Sequence, residues 1–463
     1  MSLPSLHKLP ASSKMTPGAS ANAGTHWLDG KRLSIYASVA LVCYAAVFII
    51  YLYRVVWQQL ADFPPIAMDI LPFWSASFLA LHGHAVDAYN LKALTSVELG
   101  ASPYFRTMGG MLPWLYPPNT LLIMSPLALL PLQAAAVAFI GGTAALFVKT
   151  IHAIVPHRIT IRVALAFPGA AVVALTGQNG MLTAALAAAG LLALPRRPVA
   201  AGICFGLLCM KPHLVVLFPL ALLCSRSWRA LLAFTLTTLS TLALAAILFG
   251  PATFAAFVHN AGMAAGFVES GRAFLARMPT ALALAKLAHA TLSIGYAAQV
   301  ISASLAGAAV WYAWHRECAY ALRAATLVCA SLLVSPYLYD YDLAWYGVLI
   351  AWYCNYGLRH GWRRGEREWL IVLWLAPLAG MMIVSRLSFQ FLPLITVTTL
   401  GMLVRRIALE RNSTPVHVPA FEPATGCVPL TTTRYRKHVT EPSDGLLQPA
   451  PCDANSLHRP TKI

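Results

Sequence analysis

The feature that most limits the fold of this chain is a series of apolar runs, several of which are long enough to cross a lipid bilayer. The first, Leu33 to Tyr53, follows Lys31 and Arg32 and is not followed by a small-residue cleavage site. A span of about 20 apolar residues crosses a bilayer. We therefore interpret this run as a retained first transmembrane helix and not as a signal peptide.

Charged residues are scarce, and their placement is informative. They make up 11% of the chain, against roughly 25% in soluble proteins, while 59% of residues are hydrophobic. A net charge of +17 would suggest a nucleic-acid partner in a soluble protein. Here Lys and Arg form short clusters between the apolar runs and in the tails, which is the positive-inside pattern and excludes a nucleic-acid face. The nine Cys lie in apolar runs, at inner helix ends or in the tail, so we expect neither disulfides nor a metal site.

These patterns predict an all-α polytopic membrane protein with about twelve crossings and both termini in the cytoplasm. Residues 1–30 and 407–463 lack helical periodicity and are predicted to be disordered cytoplasmic tails. Residues 31–406 form the predicted membrane domain. Within it, the polar intervals 54–117 and 250–290 are predicted to be outer loops.

Asp69 is the most interesting residue of the first outer loop. It precedes apolar residues whose spacing of three, four and eight predicts a helix lying on the membrane surface: Ile70, Phe73, Trp74, Phe78 and Leu81. Two interpretations remain open. Asp69 either caps the first turn of that helix, or is an acid that works on a lipid-borne substrate.

Lys211 is a second candidate functional residue, and it is predicted to lie partway down the membrane. The stretch from Arg197 to Arg226 has about 28 residues, too many for one straight crossing, and suits two half-depth helices broken at Lys211-Pro212. Lys211 either extends to the interface as a long amphipathic side chain or receives a phosphate group. In the second interpretation His213 and the free N–H groups of the second half-helix assist it.

The predicted topology places the other unusual polar residues on the same outer side. Ionisable groups at bilayer depth are costly and usually functional. Gln178 and Asn179 are either turn formers or amides that bind sugar hydroxyls. The run from Ser335 to Asp342 is either an interfacial aromatic belt, with Asp340 and Asp342 capping the next helix, or a ligand-binding segment. The remaining candidates on this side are Tyr116, Asp87, Arg277 and Tyr337.

An ordered set of short motifs resembles glycosyltransferase family 87, a bacterial family of the GT-C superfamily. The likeness runs from about residue 55 to 405, and each motif is weak by itself. The set comprises Asp69, Phe73-Trp74, Gly83, Asp87-Ala88-Tyr89, Trp114 to Pro118, Gly177-Gln178-Asn179-Gly180, Lys211-Pro212, Phe249-Gly250-Pro251, Met278-Pro279 and Ser335-Pro336-Tyr337 to Tyr341-Asp342.

The resemblance implies a GT-C-like inverting glycosyltransferase of the bacterial inner membrane with its active site facing the periplasm. Such an enzyme moves a hexose, often mannose, from a polyprenyl-phosphate carrier to a periplasmic or lipid-linked acceptor hydroxyl. Asp69 matches the position of the family's general base. A single acid here, without a neighbouring one, is a poor match to GT-C enzymes that hold a metal between two carboxylates, so no metal or cofactor is expected. His213 stands where many relatives carry Gln.

The proposed chemistry needs few residues. An inverting displacement uses one base and no enzymic nucleophile, and the leaving phosphate requires positive charge, for which Lys211 is the candidate. The substrate-binding candidates are Lys211, His213, Gln178, Asn179, Tyr116, Asp87, Arg277, Tyr337, Asp340 and Asp342. Their expected partners are a lipid-linked sugar donor, a sugar or glycolipid acceptor, and membrane lipids.

Two alternatives remain open. A transporter or lipid flippase would perform no covalent chemistry and would line a path with Lys211 and the broken helices. Inverted repeats, or charges spread through the bilayer depth, would indicate it, whereas the charges here cluster at one face. A family member that has lost activity could also serve as an assembly partner.

Overall fold

The computed structural model describes residues 27–54, 66–102, 112–271 and 273–410, and all regular structure in these ranges is helical. The first α-helices are α1 (Gly30–Leu52), α2 (Ile70–Leu81), α3 (Leu91–Ala101), α4 (Pro118–Met124), α5 (Leu132–Ile154), α6 (Arg158–Leu165), α7 (Pro168–Thr176), α8 (Gly180–Ala193), α9 (Pro198–Leu207) and α10 (Pro212–Val215). They are followed by α11 (Phe218–Cys224), α12 (Trp228–Phe249), α13 (Ala252–Glu269), α14 (Ala281–Leu287), α15 (Leu292–His315), α16 (Tyr320–Val334), α17 (Trp345–His360), α18 (Glu366–Ala379), α19 (Ser385–Leu387) and α20 (Leu392–Glu410). Nearly all of both predicted tails lies outside the described residues.

Several helices are long and apolar enough to cross a membrane, which marks the chain as a membrane protein. In the described ranges there are six: α1, α5, α12, α15, α18 with its extension to Val384, and α20. The pair α6 and α7, bent by 46°, makes a seventh if it counts as one span. The predicted count of about twelve crossings is not confirmed, because several predicted crossings are apolar helices of only 10–17 residues.

Small residues let the central helices pack closely. In α8, Ala184, Ala185, Ala187 and Ala188 are fully buried. Gly202 of α9 lies so near α12 that an added Cβ would fall 2.3 Å from the carbonyl oxygen of Ala230. Without a hydrophobic drive between helices in lipid, association depends on such close backbone approach. These contacts hold the broken helices in a fixed position within the bundle.

The break at Lys211-Pro212 is present. Helix α9 continues as a 3-10 turn, Leu208–Met210, and the chain resumes as α10 and α11 after Pro212. Lys211 occupies the break with φ −134° and ψ 76°, outside the helical region. The interruption leaves the Lys211 side chain inside the bundle with 3% of its surface exposed.

The helix predicted after Asp69 is present as α2 (Ile70–Leu81), whereas its predicted position on the membrane surface is not confirmed. Helix α2 packs against α3, α4 and α5, so residues on more than one face are buried, among them Phe73 and Ser75. Leu81, predicted to face the membrane, is 46% exposed.

Helix α3, which packs against α2, carries a buried acid. Glu98 is completely buried, and neither carboxylate oxygen has a hydrogen-bond partner in the described structure. Burial raises the pKa of Glu98 from 4.5 to about 8, because removal from water disfavours the charged form.

The last two spans form a hairpin whose connecting turn is tightly closed. Helix α18 ends in a π-helical turn, Gly380–Val384, and Ser388 adopts a left-handed conformation before α20 starts. A Cβ on Gly380 would lie 2.4 Å from a methyl carbon of Leu392, so the glycine permits the two helices to meet. Gln390, between them, is fully buried.

An ion pair joins the two helices at the opposite end of the same hairpin. Arg406 of α20 donates to Glu366 at the start of α18 (3.2 Å) and to the carbonyl oxygen of Gly361 (2.8 Å). Tyr353 of α17 also donates to Glu366, at 2.9 Å. Arg406 and Glu366 are both nearly buried, so each charge neutralises the other in a site with little access to water.

Candidate active site

Backbone hydrogen bonds to the end of α7 position Asp69. The amides of Ala67 and Asp69 donate to the carbonyl oxygens of Leu175 and Thr176, both at 2.8 Å. These carbonyls belong to the last turn of α7, where intrahelical donors run out. The short helix α2 therefore starts at a fixed point on the bundle. This places Asp69 beside Gln178, which is 109 residues later in the chain.

Two glycines make room for the segments that meet at this point. Gly177 ends α7 at φ 80°, and a Cβ there would lie 2.7 Å from the carbonyl oxygen of Ala67. At Gly180 a Cβ would lie 2.1 Å from the carbonyl oxygen of Tyr341. The turn from Gly177 to Gly180 thus lies between the Asp69 segment on one side and the Tyr341 segment on the other.

The side chain of Asp69 does not cap its own helix. It occupies the N-cap position of α2 without any capping hydrogen bond, and its Oδ2 instead accepts from Gln178 Nε2 at 3.3 Å. The hydroxyl of Tyr116 donates to Gln178 Oε1 at 3.0 Å. Because the oxygen of the amide faces Tyr116, its NH₂ group faces Asp69. Gln178 therefore does more than form a turn.

The pKa of Asp69 is raised above its ordinary value of 3.8. Burial is the main cause, and the nearby positive charge of Arg277 and the hydrogen bond from Gln178 act in the opposite direction. A buried carboxyl whose pKa has moved toward neutrality is suited to accept a proton from a hydroxyl. Burial also raises the pKa of Tyr116 well above 10, so Tyr116 stays a neutral donor.

Lys211 lies deeper and is fully paired. Its Nζ donates to Asp342 Oδ1 at 2.5 Å and to Asn179 Oδ1 at 3.3 Å, and it lies 4.5 Å from the centre of the Tyr341 ring. The expectation of a lysine extending to the interface does not fit a side chain that is 3% exposed. Asp342 also accepts from the amide of Tyr339. This bond is part of a cap on the turn that starts at Asp340, as the sequence suggested for Asp342.

Arg277 is the cation of this cluster that meets solvent. It forms a two-pronged ion pair with Asp340, Nε to Oδ2 and Nη2 to Oδ1, both at 2.9 Å. The Arg277 side chain is 37% exposed and Asp340 only 4%. Nη1 makes no hydrogen bond within the described structure. A guanidinium oriented in this way can still bind an anion.

Three sequence candidates make no hydrogen bond or ion pair with the cluster in the described structure. Asp87 is in the 3-10 turn after α2, where it pairs with the exposed His84 at 3.2 Å. Tyr337 packs in a separate small group with Met278 and Leu282. The Nε2 of His213 is buried without a partner in the part of the chain that is described. The structure thus brings together Asp69, Tyr116, Gln178, Asn179, Lys211, Arg277, Asp340 and Asp342.

Two buried glutamines escaped the sequence analysis. Gln299 of α15 donates to the carbonyl oxygens of Leu333 and Val334, just before the chain turns toward Tyr337, and accepts from the amide of Leu282. Gln390 donates to the carbonyl oxygen of Ala276. Both residues stand among mainly apolar neighbours in the sequence, and a lone amide in such a stretch is the signal that could have marked them as candidates. Among the described residues, no three His, Cys, Asp or Glu side chains lie together as metal ligands.

The fold and this cluster define a multi-spanning membrane protein with one partly buried acid beside an anchored guanidinium. Residues 114–336 match the family model of glycosyltransferase family 87, so the chain carries a glycosyltransferase family 87 domain. That domain implies a glycosyltransferase. The matched range contains Lys211 and Arg277, begins after Asp69 and ends before Asp340. Searches of curated proteins and of solved structures found no match.

Proposed function

We propose that this protein transfers a hexose, with mannose the first candidate, from a polyprenyl-phosphate carrier to an acceptor hydroxyl with inversion at the anomeric carbon. Asp69 acts as the base. The observation that carries the proposal is that Asp69, at a helix start, leaves the cap unmade and faces Gln178 instead. Gln178 donates only to Oδ2 of Asp69, so Oδ1 of Asp69 is available to take the proton of the attacking hydroxyl.

The leaving phosphate meets Arg277 in this proposal. The sequence pointed to Lys211, but the Lys211 ammonium is already neutralised by Asp342 and is 3% exposed. Arg277 is also paired, with Asp340, but its side chain is 37% exposed and its Nη1 is free in the described structure. It lies close enough to Asp69 for its charge to influence the pKa of that acid. Positive charge beside the departing phosphate lowers the barrier without any proton transfer. Lys211 then serves to compensate Asp342 beneath the site.

The proposed setting is the bacterial inner membrane, with both termini in the cytoplasm and the site facing the periplasm. The distribution of Lys and Arg supports this orientation. The acceptor is a sugar or glycolipid on the same side. The match to glycosyltransferase family 87 supports transfer chemistry and gives no support to the transporter alternative.

The test is Asp69→Asn in proteoliposomes supplied with polyprenyl-phosphate mannose and a bacterial lipid extract as the source of acceptor. We expect release of polyprenyl monophosphate to fall by about 10²- to 10⁴-fold, the usual contribution of a general base. Asp87→Asn is the matched control, since Asp87 is an exposed acid of the same loop. Turnover by Asp69→Asn equal to that of Asp87→Asn would overturn the role of Asp69.

A further inference from the structure

Arg277 is held by its ion pair and also through the backbone of its own turn. The side chain is fixed by Asp340. Its backbone lies in a 3-10 turn, Leu275–Arg277, whose own bonds are local. A hydrogen bond also reaches this turn from a distant part of the chain, from Gln390 Nε2 to the carbonyl oxygen of Ala276 at 3.0 Å. Ala276 directly precedes Arg277.

Gln390 is itself rigidly placed. It lies in the connecting turn of the last hairpin, between the left-handed Ser388 and Leu392, which packs against Gly380. The residue is fully buried, so its side chain cannot swing into solvent. A group held in this way can fix the height and direction of a neighbouring loop.

The chemistry of the amide suits this task. The Ala276 carbonyl accepts from this amide, and a neutral donor does not compete with Arg277 for Asp340. The oxygen Oε1 of Gln390 is buried without a partner in the described structure. An unpaired buried acceptor costs free energy of folding, which offsets part of what the bond to Ala276 contributes to stability.

We propose that Gln390 is a positioning residue that sets the guanidinium of Arg277 for the phosphate of the donor. The inference rests on the proposed function, because it assigns the phosphate to Arg277. Gln390 acts through the Ala276 carbonyl and makes no contact with substrate.

The experiment measures binding of farnesyl monophosphate to the full chain in lipid nanodiscs by isothermal titration calorimetry. Farnesol, which has the same chain without phosphate, is the reference ligand. We expect Arg277→Met to raise the Kd for farnesyl monophosphate about tenfold or more, and Gln390→Met to raise it about three- to tenfold. Neither variant should alter the weak binding of farnesol.

The double variant is decisive. If Gln390 acts through Arg277, then Gln390→Met should change the Kd less than twofold when Arg277 is already Met, since coupled residues are not additive. Additive effects, or an unchanged Kd for Gln390→Met alone, would overturn the positioning role. Failure of the unsubstituted protein to prefer farnesyl monophosphate over farnesol would overturn the proposed donor class, and this inference with it.

Gln299→Met is the matched control for stability. Gln299 is also a buried amide, but it binds Leu282, Leu333 and Val334 and does not touch the turn of Arg277. We expect a comparable loss of thermal stability and a Kd within about twofold of the unsubstituted protein. An equal loss of binding in Gln299→Met would mean that general loosening explains the effect, and would contradict the proposal.

Discussion

Lys211 and Asp342 are 131 residues apart in the chain and form a 2.5 Å ion pair in which neither side chain is more than 3% exposed. Removing one partner of such a pair leaves an uncompensated buried charge. We therefore expect Lys211→Met to lower the free energy of unfolding by about 3 to 5 kcal/mol. The double variant Lys211→Met with Asp342→Leu should recover much of that loss. Thermal unfolding in detergent, followed by tryptophan fluorescence, measures both, and a stable single variant would show the pair to be dispensable.

The acid limb of the activity profile should report Asp69. The base must be ionised to act, so kcat/KM is expected to rise with pH through the pKa of Asp69, which burial raises above 3.8. Because the charge of Arg277 lowers that pKa, Arg277→Met should move the limb to higher pH. Arg364→Met, an exposed arginine of the loop between α17 and α18, is the control. A limb that stays in place in Arg277→Met would contradict electrostatic contact between Arg277 and Asp69.

Tyr116 should affect activity through the orientation of Gln178. Tyr116→Phe removes the hydroxyl that selects which end of the Gln178 amide faces Asp69. We expect kcat to fall about two- to tenfold, the value of one neutral hydrogen bond, with little change in stability. Tyr337→Phe should leave kcat unchanged, because Tyr337 packs in the separate group with Met278. Equal effects of the two substitutions would argue against this hydrogen-bond chain.

Glu98 should make stability depend on pH. Its pKa is about 8 in the folded protein and about 4.5 as an exposed acid, so folding takes up a proton between these values. The stability is therefore full below about pH 4.5, falls as the pH rises through this window, and levels off above about 8. Glu98→Gln should remove this part of the dependence, whereas the exposed Glu317→Gln should not. Melting temperatures recorded from pH 4 to 9 compare the two variants.

Gly180 should not tolerate even a methyl group. Its Cβ would lie 2.1 Å from the Tyr341 carbonyl oxygen, so Gly180→Ala must displace the segment that carries Asp340 and Asp342. We expect a loss of about 1 to 3 kcal/mol in stability and of most activity. Gly262→Ala, in open space on α13, should be neutral or stabilising by about 0.5 to 1 kcal/mol. Unchanged turnover in Gly180→Ala would show that the Tyr341 segment can shift freely.

The sequence carried the local features well. The helix after Asp69 and the break at Lys211-Pro212 both follow from short-range rules of spacing and of proline, and both are present. The number of crossings does not follow from such rules. Apolar helices of 10–17 residues, such as α8 and α16, are too short to be assigned by length alone.

Which charged residues pair with each other cannot be predicted from the sequence, for a different reason. Which acid meets Lys211 depends on how α8, α10 and α16 pack, and one sequence contains no signal for contacts across 131 residues. The sequence could suggest Lys211 and Arg277 as cations of the outer side. Both are paired with an aspartate, and only the packing shows that Lys211 is buried and Arg277 partly exposed. Gln299 and Gln390 carry no charge to mark them in the sequence, although a lone amide buried among apolar residues is also costly.

The ion pair between α18 and α20 has a practical consequence for anyone trimming this protein. Arg406 lies only four residues before the end of α20, yet it neutralises Glu366 and anchors Gly361. A truncation that removes Arg406 would leave the buried Glu366 carboxylate unpaired where α17, α18 and α20 meet. Expression screens that shorten the C-terminus therefore meet a sharp boundary there, and yield should collapse within a few codons of it.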